Sequence, residues 1–256
     1  MRRSFMTAIA SLVFLVATTT TATATHSWGN YHWSRATNPF TVPLGDNLTT
    51  NWDGYLVTAS GDWSQSSVLD TRIQTGSTTG RKCRPSAGTV QVCNAAYGQN
   101  GWLGLAQIWL SGSHITQGAV KVNDTYFVLA QYNNNSEKLH VMCQEVGHTF
   151  GLGHQDESGI SLNTCMDYYH NTSDADTKST RPNQHDYDQL VTIYSSHVDA
   201  AAAASASGAG SAVGVPGADD DGTPFGASPA RGSWYVQDHG NGRFLLTHVF
   251  WSPSGR

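Results

Sequence analysis

The chain has 256 residues, of which 39% are hydrophobic and only 13% charged, and its formal net charge is −5. It has no basic patch, so nucleic acid is excluded as an expected partner. Eight tryptophans in the chain and a body of about 170 residues are enough for one hydrophobic core.

Residues 1–24 have the pattern of an export signal. Arg2 and Arg3 form a positive start, residues 8–17 form a short apolar core, and Ala22-Thr23-Ala24 offers small residues for cleavage. The arginine pair also resembles a twin-arginine signal, but an ordinary secretory signal is the favoured interpretation. The apolar run is too short to span a membrane, and we identify no later anchor. We expect a secreted protein whose net charge becomes −5 − 2 = −7 when the two arginines are removed.

Strand and helix patterns then predict an α/β (α+β) body. The aromatic-rich segment 26–41 contains a first strand. Trp52, Tyr55 and Leu56 recur at helical spacing and predict a helix over 48–62. Further strands are predicted around 67–74, 89–93, 103–110 and 120–122, and a further helix over 125–132.

The most informative segment lies in the next predicted helix. This helix begins at a cap formed by Ser136 and continues to about Phe150. Residues 144–154 fit the pattern H-E-x-x-H-x-x-G-x-x-H at every fixed position except the first, where Gln144 replaces histidine.

The spacing of these residues is suited to a catalytic zinc ion. Gln144 and His148 lie four apart on one helix face, with Glu145 one step round. Gly151 can adopt the left-handed conformation that ends a helix, which turns His154 back towards the same point. Three ligands leave one position open for water, whose proton Glu145 could take.

Glu145, His148, Gly151 and His154 resemble the active-site motif of the metzincin metalloproteases, most of all the matrixins. The resemblance implies a metzincin-like zincin domain: a twisted mixed sheet, an active-site helix, a methionine turn beneath the metal and a C-terminal helix. Met166, twelve residues after His154, is the candidate for the methionine turn.

Two other segments extend the resemblance, which covers roughly residues 26–197. Residues 101–107 resemble the edge strand along which such enzymes align substrate, and residues 186–194 resemble the closing helix, predicted from Asn183 to about Ser196. The stretch between Gly151 and this helix is expected to be loop-rich. The chain lacks the cysteine switch of a propeptide and the His/Asp-rich loops of accessory ion sites, so no structural zinc or calcium is implied.

Gln144 admits three interpretations. Its amide oxygen could bind zinc, although it is a poorer zinc donor than imidazole. His140 could act instead, but residues eight apart are about 12 Å apart along a helix and cannot share one ion with His148. The site could also be degenerate. Retention of Glu145, whose obvious role is catalytic, argues against decay.

Four cysteines in an exported protein predict two disulfides. The positions favour Cys83–Cys93 and Cys143–Cys165. If the methionine turn lies under the metal, the second bond would lock that turn to the active-site helix. A cysteine-ligated zinc is the weaker alternative, because residue 143 points about 100° away from the face that carries 144 and 148.

The composition changes after the body, which we place at residues 25–198. Residues 199–232 are rich in Ala, Gly and Ser and predict a flexible linker. Residues 233–256 form a C-terminal tail in which Asp238 to Gly242 separates two apolar runs, the pattern of a β-hairpin. Because an isolated hairpin is barely stable in water, we expect it to pack on the body.

The sequence therefore predicts a secreted, zinc-dependent endopeptidase. Gln144, His148 and His154 are the predicted ligands of Zn2+, and Glu145 is the predicted general base. The protein or peptide substrate would lie extended along the edge strand, and the protein is expected to be a monomer. The alternative is a non-catalytic secreted binding protein on a degenerate protease scaffold.

Overall fold

The computed structural model describes residues 26–195, 198–199, 223–224 and 232–253. The predicted signal and most of the predicted linker lie outside these residues. The helices are α1 (Thr50–Trp63), α2 (Asp124–Phe127), α3 (Asn135–His148) and α4 (Gln184–Ser195). The strands are β1 (His32–Trp33), β2 (Phe40–Asn47), β3 (Leu69–Thr75), β4 (Val90–Ala95), β5 (Trp102–Ser111), β6 (His114–Asn123), β7 (Thr223–Pro224), β8 (Gly232–Asp238) and β9 (Arg243–Trp251).

The described strands form one mixed sheet in the order β3-β2-β4-β6-β5-β9-β8-β7, with β1 paired to the start of β6. The half built from β3, β2, β4 and β6 is parallel. From β5 onwards every pairing is antiparallel. The predicted α/β class, with a mixed sheet, an active-site helix and a closing helix, is confirmed.

The predicted helix over 48–62 and the predicted closing helix are confirmed as α1 and α4, and three predicted strands correspond to β3, β4 and β5. The strand β2 was not predicted, because Pro43 and Gly45 interrupt its pattern. The predicted strand 120–122 is only the end of the longer β6.

Two helix predictions need correction. The helix predicted over 125–132 is a single turn, α2, which is followed by turns. The cap of α3 is Asn134 and not Ser136: the Asn134 side chain accepts a hydrogen bond from the backbone N–H of Glu137 at 2.8 Å. Asn and Ser are equally good N-caps, so the sequence alone does not choose between them.

The core lies between the sheet and the helices α1 and α3. Leu56, Val146 and Phe150 are fully buried there. The indole N–H of Trp63 in α1 donates to the backbone carbonyl of Cys143 in α3 at 3.0 Å, which ties the two helices together. None of the described helices has the length and apolar character needed to span a bilayer.

Both predicted disulfides are present. Cys83 is bonded to Cys93 and Cys143 to Cys165, with Cα–Cα distances of 5.8 and 5.9 Å. The second bond joins α3 to the segment that carries Met166.

The C-terminal hairpin β8–β9 packs on the body, as predicted, and it does so by extending the sheet. Strand β9 pairs with β5 from Trp102–Trp251 at one end to Ser111–Arg243 at the other. The expectation that β5 is a free edge for substrate is therefore wrong for this structure, because β5 is hydrogen-bonded on both sides. The hairpin covers that edge because Leu246 and Phe250 bury their side chains in the core.

A buried lysine gives the fold a testable pH dependence. Lys121 of β6 is 4% exposed, and its ammonium lies 5.9 Å from the centre of the Tyr97 ring. Burial lowers the pKa of Lys121 from 10.5 to about 8. Between these values the unfolded chain binds more protons than the folded chain, so stability rises with pH.

We predict that Lys121→Met increases the free energy of unfolding at pH 7 and removes the rise between pH 8 and 10. The difference should not exceed about 3 kcal/mol. Urea denaturation at each pH measures it, and Lys82→Met, at an exposed position, controls for the loss of one positive charge. Parallel stability curves for Lys121→Met and the parent protein would contradict the prediction.

Candidate metal centre

The end of α3 brings two of the predicted ligands together. Gly151 has φ +90°, and a Cβ atom there would lie 2.2 Å from the backbone oxygen of Tyr31, so only glycine fits this turn. The turn folds the chain back on itself. As a result His154 Nε2 lies 3.0 Å from His148 Nε2.

The hydrogen bonds of these two rings define where their protons lie. His148 Nδ1 is 2.8 Å from the carbonyl of Leu152, which can only accept, so this nitrogen carries the hydrogen. His154 Nδ1 is 3.1 Å from the carboxylate of Glu157 and donates to it. When both rings are neutral, neither Nε2 atom carries a hydrogen, so the lone pairs of the two Nε2 atoms face each other. A cation between them would remove their repulsion, as in metal-binding histidine pairs.

A third histidine completes the group. His248 of β9 is fully buried, and one ring nitrogen from each of His148, His154 and His248 lies within 4.8 Å of the others. Zinc–nitrogen bonds of about 2.1 Å in tetrahedral geometry place ligand nitrogens about 3.4 Å apart. The donor set and its spacing therefore fit a zinc ion.

His248 was not among the residues predicted to bind the metal. It follows the predicted linker and lies 100 positions after His148, outside any motif. The available signal was the alternation of β9: Leu246 and Phe250 share its buried face, and His248 lies between them on that face. An imidazole in an otherwise apolar row of a strand is an indication of a polar site.

Gln144, the predicted first ligand, is fully buried and is held by the residues on either side of Met166. Its amide Nε2 donates to the backbone carbonyls of Cys165 at 2.9 Å and Asp167 at 2.7 Å. Because both partners only accept, the nitrogen side of the amide is fixed. Its Oε1 is buried without a hydrogen-bond partner among the described residues. Ligation of a metal by this oxygen stays a prediction.

Glu145 lies on α3 beside the histidines and is fully buried. Burial raises the pKa of its carboxyl well above the usual range. Oε2 is 3.1 Å from His248 Nδ1, whereas Oε1 has no hydrogen-bond partner among the described residues. One carboxylate oxygen is thus anchored and the other is available.

Burial also keeps the three imidazoles neutral. It lowers the pKa of His154, and it lowers those of His148 and His248 well below the usual value, with the neighbouring histidines adding to the effect on the last two. The pKa of Glu157 is lowered chiefly by its hydrogen bond from His154. Neutral imidazole is the form that binds a metal.

Met166 lies beneath α3, where the resemblance predicted a methionine turn. A Cβ atom on Gly147 would be 2.7 Å from the sulfur of Met166 and 2.5 Å from the ring of Trp63. Thr164 Oγ1 accepts from the backbone N–H of Met166 at 2.9 Å and donates to Asp186 in α4 at 2.5 Å. The turn is thereby fixed to the closing helix.

The hairpin shields this centre from solvent. The Trp234 ring of β8 lies 5.0, 5.2 and 4.6 Å from the ring centres of His148, His154 and His248. The His154 side chain is only 1% exposed. The Tyr168 hydroxyl lies 2.9 Å from His248 Nε2 and closes the inner side.

The sequence matches no protein-family model and no curated protein. Among solved structures, one that is similar is high choriolytic enzyme 1, a hatching-enzyme zinc protease from the medaka fish Oryzias latipes. The match covers 64% of this chain and 94% of that one, at 10% identity and a TM-score of 0.35. A likeness this slight assigns neither a family nor an activity.

A second group, His32, His114 and Asp199, has potential ligand atoms within 4.8 Å of one another. Asp199 accepts hydrogen bonds from the backbone N–H of Arg35 and from His114, both at 3.1 Å, and its carboxylate lies 3.9 Å from the guanidinium of Arg35. The guanidinium offsets the charge of this carboxylate, so we assign the group a structural role that holds residues beyond α4 to the body.

The close contact at Gly147 can be tested. Gly147→Ala should destabilise the protein by about 1–3 kcal/mol, because the added methyl group collides with Met166 and Trp63. It should also weaken zinc binding, because α3 must move away from the methionine turn. Thermal unfolding and a zinc titration measure the two effects.

Gly54→Ala is the matched control. Gly54 lies on the exposed side of α1, and its added methyl group meets nothing within 4 Å. This variant should gain about 0.5–1 kcal/mol from helix propensity. Equal effects of the two substitutions would show that the space beneath Gly147 is not constrained.

Proposed function

We propose that the chain is a secreted zinc-dependent endopeptidase with a metzincin-like, matrixin-related centre. The observation that carries the proposal is the pair of facing Nε2 lone pairs of His148 and His154, 3.0 Å apart. They lie beside the carboxyl group of Glu145, which a purely structural metal site would not require. The motif spacing, the buried Met166 and the helix α4 support the same conclusion.

In this proposal His148 and His154 hold the metal together with a third ligand. Bound zinc polarises the substrate carbonyl and makes water more acidic. Oε1 of Glu145 has no other partner among the described residues, so it can accept the proton of the attacking water. The water oxygen bonds to the carbonyl carbon, the C–N bond breaks, and Glu145 passes the proton to the leaving amine.

The raised pKa of Glu145 makes its carboxyl group a stronger proton acceptor once it is ionised. The hydrogen bond between its Oε2 and His248 Nδ1 fixes the carboxyl in place. Glu145 is therefore both oriented and reactive.

Secretion and substrate class belong to the same proposal. Two disulfides are typical of exported proteins, and residues 1–24 have the composition of a signal peptide. Protein or peptide substrates are inferred from the resemblance of the motif to zinc proteases. We propose that the protein acts as a monomer.

A specific observation also favours the second candidate, a non-catalytic zinc-holding protein. The strand β5 is paired on both sides, and Glu145 and His148 are fully buried. In the endopeptidase, Trp234 of the hairpin must move away from the histidines to admit substrate. In the second candidate it never does.

The first test compares the parent protein with Glu145→Gln, each as the full exported chain with zinc, on a quenched fluorescent peptide library. The substitution keeps the shape of the side chain but removes the base, so cleavage should fall by about a hundredfold or more. The zinc content of both proteins, measured by elemental analysis, must be equal. Background rates in both would instead favour the zinc-holding protein.

A second test opens the centre. Trp234→Ala removes the indole that covers His148 and His154, so a chelator should remove zinc several-fold faster and peptide cleavage should increase. Trp109→Ala removes an indole packed near the Cys83–Cys93 bond instead and serves as the control. If Trp234→Ala left both rates unchanged, Trp234 would not be the cover that limits access.

A further inference from the structure

We propose that His248, carried by the C-terminal hairpin, is the third protein ligand of the metal and takes the place of the histidine missing at position 144. This inference rests on the metal centre of the proposed function but does not depend on catalysis. It makes the hairpin part of the site and not an appendage.

The strand register places His248 at the centre. In the β5–β9 ladder, Ala106 is opposite His248 and Gly104 is opposite Phe250. Two of the smallest residues of β5, Ala106 and Gly104, thus lie beside the imidazole and leave room for it under α3. A register slip of one residue would turn His248 to the other face of the sheet. The burial of Leu246 and Phe250 opposes such a slip.

The ring of His248 is held on both sides. Its Nδ1 is 3.1 Å from the carboxyl of Glu145, and its Nε2 is 2.9 Å from the Tyr168 hydroxyl. Its ring centre lies 4.1 Å from that of His148 and 4.7 Å from that of His154. A carboxyl group at Nδ1 is the usual support for a metal-binding histidine, and Nε2, which lies next to the Tyr168 hydroxyl, is the nitrogen left to bind the metal.

The charges behind the rings also suit a divalent cation. Glu145 lies behind His248, and Glu157 lies behind His154. His148 donates instead to the carbonyl of Leu152. Three neutral imidazoles bring no charge of their own, so the ionised forms of Glu145 and Glu157 would supply the two negative charges that offset a divalent cation.

Gln144 is the competing ligand, because its Oε1 is buried without a hydrogen-bond partner among the described residues. Two facts favour His248 over it. The amide nitrogen of Gln144 is engaged by the carbonyls of Cys165 and Asp167, which gives this residue a structural role. An amide oxygen is also a harder, weaker donor to zinc than imidazole nitrogen. His248 thus restores the three-histidine set from the opposite side of the site.

This arrangement links metal binding to hairpin docking. If zinc binds more tightly when the hairpin is docked, then zinc must strengthen docking by the same factor. Hydrogen exchange of the β9 amides should therefore slow on addition of zinc in the parent protein. In His248→Ala, zinc should leave that exchange unchanged.

The main experiment measures zinc stoichiometry and affinity for the full chain by competition with a chromophoric chelator. His248→Ala should bind zinc about 100-fold more weakly or worse, since loss of a supporting partner alone costs 10–100-fold. Gln144→Ala should lose less than about tenfold by the same comparison. His239→Ala, in the turn of the same hairpin, should bind like the parent protein.

A ligand exchange separates coordination from a merely structural role. His248→Cys offers a thiolate, so its Co2+ complex should show a sulfur-to-cobalt charge-transfer band in the near ultraviolet. His239→Cys should show none. If His248→Ala simply released the hairpin, zinc-free hydrogen exchange of β9 would reveal it, and the cobalt band of His248→Cys would still decide the assignment.

Parent-like zinc affinity in His248→Ala, or no charge-transfer band in His248→Cys, would overturn the proposal. So would a larger loss of affinity in Gln144→Ala than in His248→Ala. These readouts do not involve peptide cleavage: a protein that binds zinc through His248 but cleaves nothing would refute only the endopeptidase. If the parent protein bound no zinc, both proposals would fail.

Discussion

The pairing of β9 with β5 is the contact on which the rest of the candidate site depends. It places an imidazole beside the two that α3 and its following turn bring together, and it fixes that imidazole by register. The same contact removes the free sheet edge and buries Glu145. The hairpin thus both contributes an imidazole to this group and covers it.

A second set of contacts fixes the floor of the site. The Cys143–Cys165 bond, the amide of Gln144 and the fit of Met166 under Gly147 all join α3 to the methionine turn. The amide of Gln144 fastens α3 to the turn, because its nitrogen donates to the carbonyls of Cys165 and Asp167. An amide at this position therefore has a structural role, whether or not its oxygen also binds a metal.

Much of the fold could be predicted, because its signals are local. Helical spacing around Trp52, the Gly151 turn and the glycine-rich hairpin are all properties of short segments. The misses have physical causes. Pro43 and Gly45 interrupt the strand pattern of β2, and β9 pairs with β5 through residues that are 132 to 149 positions apart in sequence. Such long-range pairing is set by tertiary packing and not by local pattern. His248 could not be placed without it.

The covalent route to the hairpin has a consequence of its own. Between α4 and β8 the chain passes through residues 196–231, most of which are Ala, Gly, Ser, Pro or Asp. Because this segment joins the hairpin covalently to the body, docking on β5 is an intramolecular step with an effective concentration set by the tether. A single cut in the tether would turn docking into a bimolecular equilibrium that dilution favours breaking. An intact segment would keep the hairpin on the body, whereas a cut segment would let the hairpin dissociate and be replaced.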